Sequence, residues 1–406
     1  MATILGGDFD RLRNDLQSES MQNEIADFIE KEIRPLNEFS VYHTLCTWAE
    51  LHVDTFNEEN VIRLFDELNV VIEKCPPGHD RGHIVRDILA GIVLALNDPF
   101  IKDARFASEI WAGIMAAAFH DIGNSIVFRY HDRKNKCGHG EIGAWLFFQI
   151  ANEIDPKHEK IYLLAAHAIA AHTHYLKPIE VENPKGYVRE TYEDTIMNSG
   201  HPIRIAMHMA RFADRLDCNG STLLARHILA ACDSYHVEGA QDFSAGKFFK
   251  LNEEYLHALL VPESRNISGK PTALKHVSNF SDSNFGNSPY SKNDYRFPFF
   301  SLLMAWKVNE ANTILSIAES NKQDLTRHAA IYEVLRIISG SKIPDNVSGV
   351  LEQSWNSLNE EQKLKWVSIL YYVKRNYIEW CHLLLCFIPK SSGFYKFALD
   401  ISTRVF

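Results

Sequence analysis

Apolar residues recur at spacings of three and four along most of this chain, which places them on one face of an α-helix. Val-rich runs that alternate apolar with polar residues are almost absent, so strands are not indicated. The pattern therefore predicts an all-α protein. Candidate helices lie near residues 20–36, 57–74, 81–97, 104–121, 139–154, 157–174, 201–217, 220–233, 246–260, 296–319, 324–339 and 360–388.

Two segments interrupt the helical pattern. Residues 176–195 contain two prolines and a glycine, and we expect a long loop there. Residues 263–296 are rich in Ser and Asn, which is typical of a domain boundary, and a chain of 406 residues exceeds one ordinary core. We therefore predict an N-terminal helical extension at 1–60, a main domain at 61–261, a linker or long loop at 262–295 and a C-terminal helical module at 296–406.

Charge and apolar run length exclude several classes of function. The net charge of −10 opposes general binding to a nucleic-acid backbone. The longest apolar runs reach half of the roughly 20 residues that cross a bilayer, so no membrane segment is expected. The first residues lack the basic start and apolar core of a secretory signal. Seven scattered cysteines without CxxC pairs indicate reduced thiols, and we expect a cytoplasmic protein.

Histidines are concentrated in one part of the chain, since 14 of the 19 fall between residues 79 and 257. A single buried histidine is usually a hydrogen-bonded structural residue, but this set suggests a metal site. His79 and His83 are four residues apart, so a helix would place them on one face. His120 and Asp121 end the apolar run in AAAFHDIGN, and we expect the following glycine to end or bend that helix.

A further carboxylate, Asp214, lies in an apolar helical segment between Arg211 and Arg215. It would be either a metal ligand or a partner in a salt bridge with a neighbouring arginine. Imidazole and carboxylate ligands suit Mn, Fe, Zn, Co or Ni better than Ca.

These residues resemble the signature of the HD-domain superfamily of metal-dependent phosphohydrolases, which reads H…HD…D on a helical bundle. The blocks GHDRGHIVRD, AAFHDIGN, GHGEIGAWLF, AIAAHTH and RFADRLDCNGSTLLARH are similar, in this order, to those of bacterial HD hydrolases that cleave nucleotide phosphoanhydride bonds. The resemblance covers roughly residues 75–235. It identifies the main domain at 61–261 as an HD domain.

The resemblance implies a role for each matched position. Metal ligands would be His83, His120, Asp121 and Asp214, with Asp121 also catalytic. His139 and His172 match pocket histidines that bind a second metal, contact phosphate or move a proton. The implied cofactor is one divalent ion of Mn, Mg, Fe, Zn, Co or Ni, with a second ion as the alternative.

Two departures from the family pattern bear on activity. Asn124 follows HDIG where many relatives have an acidic residue or lysine, so the general base is not assigned. The GYP motif of cyclic-di-GMP phosphodiesterases is absent, which disfavours that substrate.

A phosphorylated substrate also requires cations. The candidate substrate-binding cations are Arg129, Arg133 and Lys134, which lie in one predicted loop. The alternative is that this is an ordinary surface loop whose charges are solvated. Arg86 and Arg215 would bind substrate or hold the ligand carboxylates. We treat His167 and His174 as structural.

The sequence thus predicts a hydrolase of phosphate ester or anhydride bonds in a nucleotide-like substrate, acting through metal-activated water. The enzymatic alternative is a cyclic-nucleotide phosphodiesterase or a (p)ppGpp-type hydrolase. The non-enzymatic alternative is an inactive nucleotide-sensing or scaffold protein. Residues 296–406 would serve structure, a protein partner or self-association.

Overall fold

The structure is a computed structural model. It describes residues 9–16, 18–37, 39–75, 79, 81–98, 107–126, 137–172, 179–183, 186–190, 205–217 and 380–403, with isolated positions at 222, 299–300, 302–303, 306–307 and 359–360. The candidate helices at 220–233, 246–260 and 324–339, and most of those at 296–319 and 360–388, lie outside the described residues.

The all-α prediction is confirmed for the part of the chain that the structure describes. Its α-helices are α1 (Phe9–Leu16), α2 (Glu19–Phe28), α3 (Phe39–Val53), α4 (Glu58–Ile72), α5 (Arg81–Asn97), α6 (Ala107–Phe119), α7 (His139–Ile154), α8 (Glu159–Ala171), α9 (Ile205–Asp217) and α10 (Gly393–Thr403). Tighter or wider helical turns occur at Ile29–Ile33, Arg34–Asn37, Ile122–Ser125 and Pro156–His158.

The predicted loop at 176–195 contains one exception to the helical pattern. Strand β1 (Ile179–Asn183) pairs antiparallel with β2 (Gly186–Glu190), and the register joins Ile179 to Glu190 at one end and Asn183 to Gly186 at the other. The prolines and the glycine of this segment predicted a loop, so the strand pair is a finding of the structure that the sequence did not indicate.

The chain divides into two compact units. The first contains Met1–Cys75, Ile84–Asp214 and Phe387–Ser402, and the second contains Pro76–His83, Arg215–Cys386 and Thr403–Phe406. The boundaries of these two units differ from those of the four predicted parts. The predicted boundaries stay a prediction. Nearly all described residues belong to the first unit.

The core of the first unit is centred on α8, which packs against α7, α6 and α3. Phe119 at the end of α6 stacks on Phe147 of α7, with ring centroids 5.3 Å apart. Phe147 in turn meets Tyr162 of α8 edge to face at 6.2 Å. These three aromatic side chains are fully buried, so they hold the three helices together through a large apolar area.

Two glycines allow the turn after α6 to approach the start of α7 very closely. A Cβ atom on Gly123 would lie 1.9 Å from the carbonyl oxygen of His139 and 2.8 Å from the backbone nitrogen of Gly143. Only a residue without a side chain fits at this contact. Helix α6 already ends at Phe119, so Gly123 serves backbone approach rather than helix termination, which differs from our expectation.

The second unit contains a buried lysine. Lys307 is fully buried, with its Nζ atom 4.3 Å from the ring centroid of Trp380 and 3.2 Å from Oγ1 of Thr222. Trp380 stacks on Trp306 at 5.3 Å. Cation–π contact and a hydrogen bond compensate the loss of water around the ammonium group.

Among the described residues, no helix combines the length and apolar character that crossing a bilayer requires.

Candidate metal centre

Imidazoles and carboxylates of the first unit cluster near the ends of α6, α7 and α8, together with a carboxylate from inside α5. His120 and Asp121 follow α6 directly, His172 follows α8, and His139 is the first residue of α7. Asp87 lies inside α5 and is fully buried. Helix ends are suitable for such a site because one helix directs only one side chain per turn towards a given point.

Two groups of three ligand atoms in this unit are compact enough to surround one ion. The ligand atoms of His120, Asp121 and His172 all lie within 4.8 Å of one another, as do those of His120, Asp87 and Asp214. Both groups use His120, whose Nε2 atom faces the carboxylates. The structure therefore brings the predicted residues His120, Asp121, His172 and Asp214 together.

The separations around Nε2 of His120 are close to those of ligands that share one ion. Nε2 of His120 lies 3.3 Å from Oδ2 of Asp121, 3.6 Å from Oδ2 of Asp87 and 4.0 Å from Oδ1 of Asp214. Ligands that each lie about 2.1 Å from a shared ion are separated by about 3.0–3.4 Å in octahedral or tetrahedral geometry. Small side-chain movements would bring all four groups into that range.

The ring nitrogens of both central histidines are arranged for metal binding. Nδ1 of His120 lies 3.0 Å from the carbonyl oxygen of Ala117, and Nδ1 of His172 lies 2.5 Å from that of Ile169. Because a carbonyl only accepts, each Nδ1 carries the hydrogen and donates it. The lone pair is then on Nε2, the atom that faces the carboxylates, as is usual for a metal-ligating histidine.

The charges around the cluster favour a cation. Burial by itself lowers the pKa of His120, but the carboxylates of Asp121, Asp87 and Asp214 outweigh it and raise the pKa. Burial lowers the pKa of His172 to about 3, with a contribution from the neighbouring imidazoles. The negative environment at His120 therefore attracts a proton or a metal ion, whereas His172 stays neutral.

Asn124 and His139 surround the other oxygen of Asp121. Nδ2 of Asn124 donates to Oδ1 of Asp121 at 3.0 Å. Nε2 of His139 lies 3.6 Å from the same Oδ1 atom, and Nε2 of His172 lies 3.8 Å from it. The amide holds the carboxylate in one orientation, with Oδ2 directed towards His120. Asn124 thus supports the proposed ligand Asp121.

His83 belongs to the second unit. Its Nδ1 atom lies 2.8 Å from Oδ2 of Asp217, and both side chains are buried. Its ring also contacts His79 edge to face, with centroids 6.0 Å apart. A carboxylate on Nδ1 of a histidine is a frequent arrangement among metal-ligating histidines. The role of His83 as a metal ligand stays a prediction from the motif.

The remaining predicted residues have different placements. Arg129, Arg133, Lys134 and His174 lie outside the described residues. Arg86 and Arg215 are 4% and 6% exposed, and their roles towards substrate stay predictions. His167 is fully buried in α8, with its ring 6.1 Å from that of Tyr42, and burial lowers its pKa to about 3.

Sequence reasoning missed Asp87 and the contact of Asn124. Asp87 carries a signal, because it interrupts the apolar run IVRDILAGIVLAL in the same way that Asp214 interrupts its helix. A buried carboxylate in such a run requires a compensating partner. The hydrogen bond of Asn124 depends on the turn at Ile122–Ser125, which the sequence did not predict.

Comparison with protein-family models, with curated proteins and with solved structures finds no match for this chain.

Proposed function

We propose that this chain is a metal-dependent hydrolase of phosphate ester or anhydride bonds in a nucleotide-like substrate. The observation that carries the proposal is the cluster of His120, Asp121 and His172. One ligand atom from each lies within 4.8 Å of the others, and both Nδ1 atoms are bonded to backbone carbonyls. The motif resemblance supplies the reaction class. Asp87 and Asp214 complete the proposed ligand set in this unit, and His83 is added by the motif.

The donor set fits a divalent transition metal. Two neutral imidazoles and two or three carboxylates match the preferences of Mn, Fe, Zn or Co, and the carboxylates would balance the charge of the ion. When bound, such an ion would lower the pKa of a water molecule and polarise a phosphoryl oxygen.

The chain's own residues have distinct tasks in this proposal. Oδ1 of Asp121 accepts from Asn124 and also faces Nε2 of His139. Oδ2 of Asp121 faces His120 and is the proposed ligand atom. The side chain of His139 is 14% exposed, compared with 2% for His172. His139 is therefore the imidazole best placed to exchange a proton with an attacking water or a leaving group.

Measurements of metal content and turnover test the proposal. We expect purified protein to contain close to one divalent ion per chain and, with Mn²⁺ added, to release phosphate or pyrophosphate from one member of a panel of nucleoside phosphates. The panel includes nucleoside tri- and diphosphates, a cyclic nucleotide and a guanosine tetraphosphate. Asp121→Asn should lose both properties while its circular-dichroism spectrum stays helical.

Other outcomes of these measurements distinguish the alternative functions. Bound metal without turnover of any nucleotide would identify a nucleotide-sensing protein instead of an enzyme. Turnover of only the cyclic nucleotide or guanosine tetraphosphate would favour the enzymatic alternative. Wild-type protein that holds no ion above the content of Asp121→Asn would contradict the metal centre itself.

A further inference from the structure

A second cluster of polar side chains lies at the opposite end of α8 from His172. Oγ1 of Thr55 lies 2.9 Å from Nε2 of His158, and Nδ1 of His158 lies 2.6 Å from Oδ2 of Asp155. A hydroxyl, an imidazole and a carboxylate thus form an unbroken chain of contacts. Thr55 comes from the turn after α3, while the other two residues flank the short turn between α7 and α8.

The carboxylate at the end of this chain stays ionised. Burial by itself raises the pKa of Asp155, but contact with His158 and hydrogen bonds from Tyr162 and Asn60 outweigh it and lower the pKa. Oδ2 of Asp155 accepts from the hydroxyl of Tyr162 at 3.0 Å and from Nδ2 of Asn60 at 3.2 Å. An ionised carboxylate held by three donors has a fixed orientation.

The ionised carboxylate determines which ring nitrogen of His158 carries the hydrogen. Because Asp155 only accepts, Nδ1 of His158 donates, and Nε2 of the neutral ring has a lone pair. The hydroxyl of Thr55 donates to the carbonyl oxygen of His52 at 2.7 Å, and Nε2 of His158 lies 2.9 Å from the same Oγ1 atom. Rotation of the hydroxyl hydrogen from the carbonyl to Nε2 would give the hydrogen bond of a nucleophile to its general base.

Thr55 and His158 differ in solvent exposure, as expected for a nucleophile and its general base. Thr55 is exposed, whereas His158 is 2% exposed and its ring packs edge to face on Phe56 at 5.1 Å. The hydroxyl can therefore meet a substrate, whereas most of the imidazole surface is covered by protein. Shielding strengthens the interaction between the imidazole and the carboxylate.

An open cavity of about 390 Å³ begins at the residue after Thr55. Three aromatic side chains, Phe56, Trp111 and Phe394, line it together with Asn57, Glu58, Glu59 and Gly393. Aromatic walls suit an apolar group. Of the two carboxylates in the lining, Glu58 pairs with Nζ of Lys396 at 3.1 Å, and Glu59 adds a negative charge that disfavours an anionic group. The cavity thus fits the apolar part of an uncharged ester.

We propose that Thr55, His158 and Asp155 form a nucleophile, base and orienting acid that hydrolyse uncharged carboxylic esters without a metal. Oγ1 of Thr55 forms a bond to the ester carbonyl carbon, and its proton passes to Nε2 of His158. The proton then moves to the departing alcohol as its C–O bond breaks. A water molecule, deprotonated by the same imidazole, hydrolyses the acyl-threonine and regenerates the hydroxyl.

Covalent labelling of the full-length protein in the presence of EDTA tests this proposal. We expect a fluorophosphonate probe to lose fluoride and form a P–O bond to Thr55, which mass spectrometry of peptides locates. We also expect hydrolysis of 4-nitrophenyl acetate, with Thr55→Val slowed by at least about 100-fold and Thr55→Ser active. Thr47→Val is the matched control, because the hydroxyl of Thr47 donates only to a carbonyl, that of His43, at 2.9 Å.

Two further variants separate this activity from the metal centre. His158→Gln should lose labelling, whereas Asp121→Asn should be labelled like the wild type. A merely structural network would lower the unfolding temperature of Thr55→Val without any adduct in the wild type. Absence of an adduct on Thr55, or equal ester hydrolysis by wild type and Thr55→Val, would overturn the proposal.

Discussion

The two ends of helix α8 each carry a histidine beside an aspartate, yet they are arranged for different chemistry. At the C-terminal end, Nδ1 of His172 donates to a backbone carbonyl, and Nε2 faces Asp121 and His120. At the N-terminal end, both ring nitrogens of His158 are occupied, one by Asp155 and one by Thr55. The first arrangement leaves a lone pair directed at Asp121 and His120, and the second suits the proposed proton transfer.

Burial and residue type do not by themselves identify a metal ligand at the two ends of α8. His158 and His172 are both buried, and both lie within 4 Å of a carboxylate. The partner of each ring nitrogen distinguishes them, because a backbone carbonyl fixes the tautomer while a second side chain uses the lone pair. The helix dipole acts in the same sense, since the negative C-terminal end of α8 favours a cation near His172.

The largest expected effect comes from replacing the histidine by glutamine at each end of α8. His172→Gln should weaken Mn²⁺ binding by more than about 100-fold, because it removes a proposed ligand atom. His158→Gln should leave Mn²⁺ affinity unchanged within about twofold. Isothermal titration calorimetry measures both, and equal affinities of the two variants would contradict the distinction.

The next largest effect concerns the close backbone contact between Gly123 and His139, beside the proposed metal centre. Gly123→Ala should lower the free energy of unfolding by about 3 kcal/mol, because the new Cβ would overlap the carbonyl oxygen of His139. The matched control is Gly393→Ala, whose Cβ meets nothing within 4 Å and should change stability by less than about 1 kcal/mol. Urea denaturation monitored by circular dichroism compares them. Similar stabilities of the two variants would show that the turn yields to a side chain.

A smaller effect should follow from the amide that orients Asp121. Asn124→Ala removes the hydrogen bond to Oδ1 and should weaken Mn²⁺ binding by about tenfold. Asn60→Ala removes the corresponding amide from Asp155 and should leave Mn²⁺ affinity unaltered. Calorimetric titration of each variant is sufficient. Unchanged affinity in Asn124→Ala would mean that the amide does not orient the ligand.

The smallest effect concerns pH at the N-terminal end of α8. Because the folded-state pKa of Asp155 lies below its ordinary value of 3.8, its ionised form stabilises the fold above that value. This stability should disappear as the pH falls from about 4 through the folded-state pKa. The difference in unfolding free energy between wild type and Asp155→Asn should therefore be constant above pH 5 and shrink below pH 4. A difference that grows on acidification would reverse the assigned sign.

Helix periodicity predicted much of the first unit, because amphipathic segments need no knowledge of their neighbours. The helices expected at 81–97 and 139–154 match α5 and α7 at both ends. Helix α3 was missed, since FSVYHTLCTWAELHV is rich in aromatic and β-branched residues that are weak helix formers. Packing against α8 and α6 stabilises this segment instead.

The candidate sites could be predicted only where a motif marks them. His120, Asp121, Asp214 and His172 were found because their spacing resembles a family signature. The contact between Thr55 and His158 joins residues 103 positions apart and has no marker in the sequence. Its detection requires knowing that the turn after α3 meets the turn between α7 and α8.

The glycine contact between the turn after α6 and helix α7 also affects tolerance to mutation. Since main-chain atoms meet there, the separation of Asp121 from His139 is set by groups that every amino acid shares. Phe119 and Phe147 could thus be exchanged for other apolar residues during evolution or design at a cost in stability alone. The geometry of the cluster would survive such drift as long as Gly123 and Gly143 are kept.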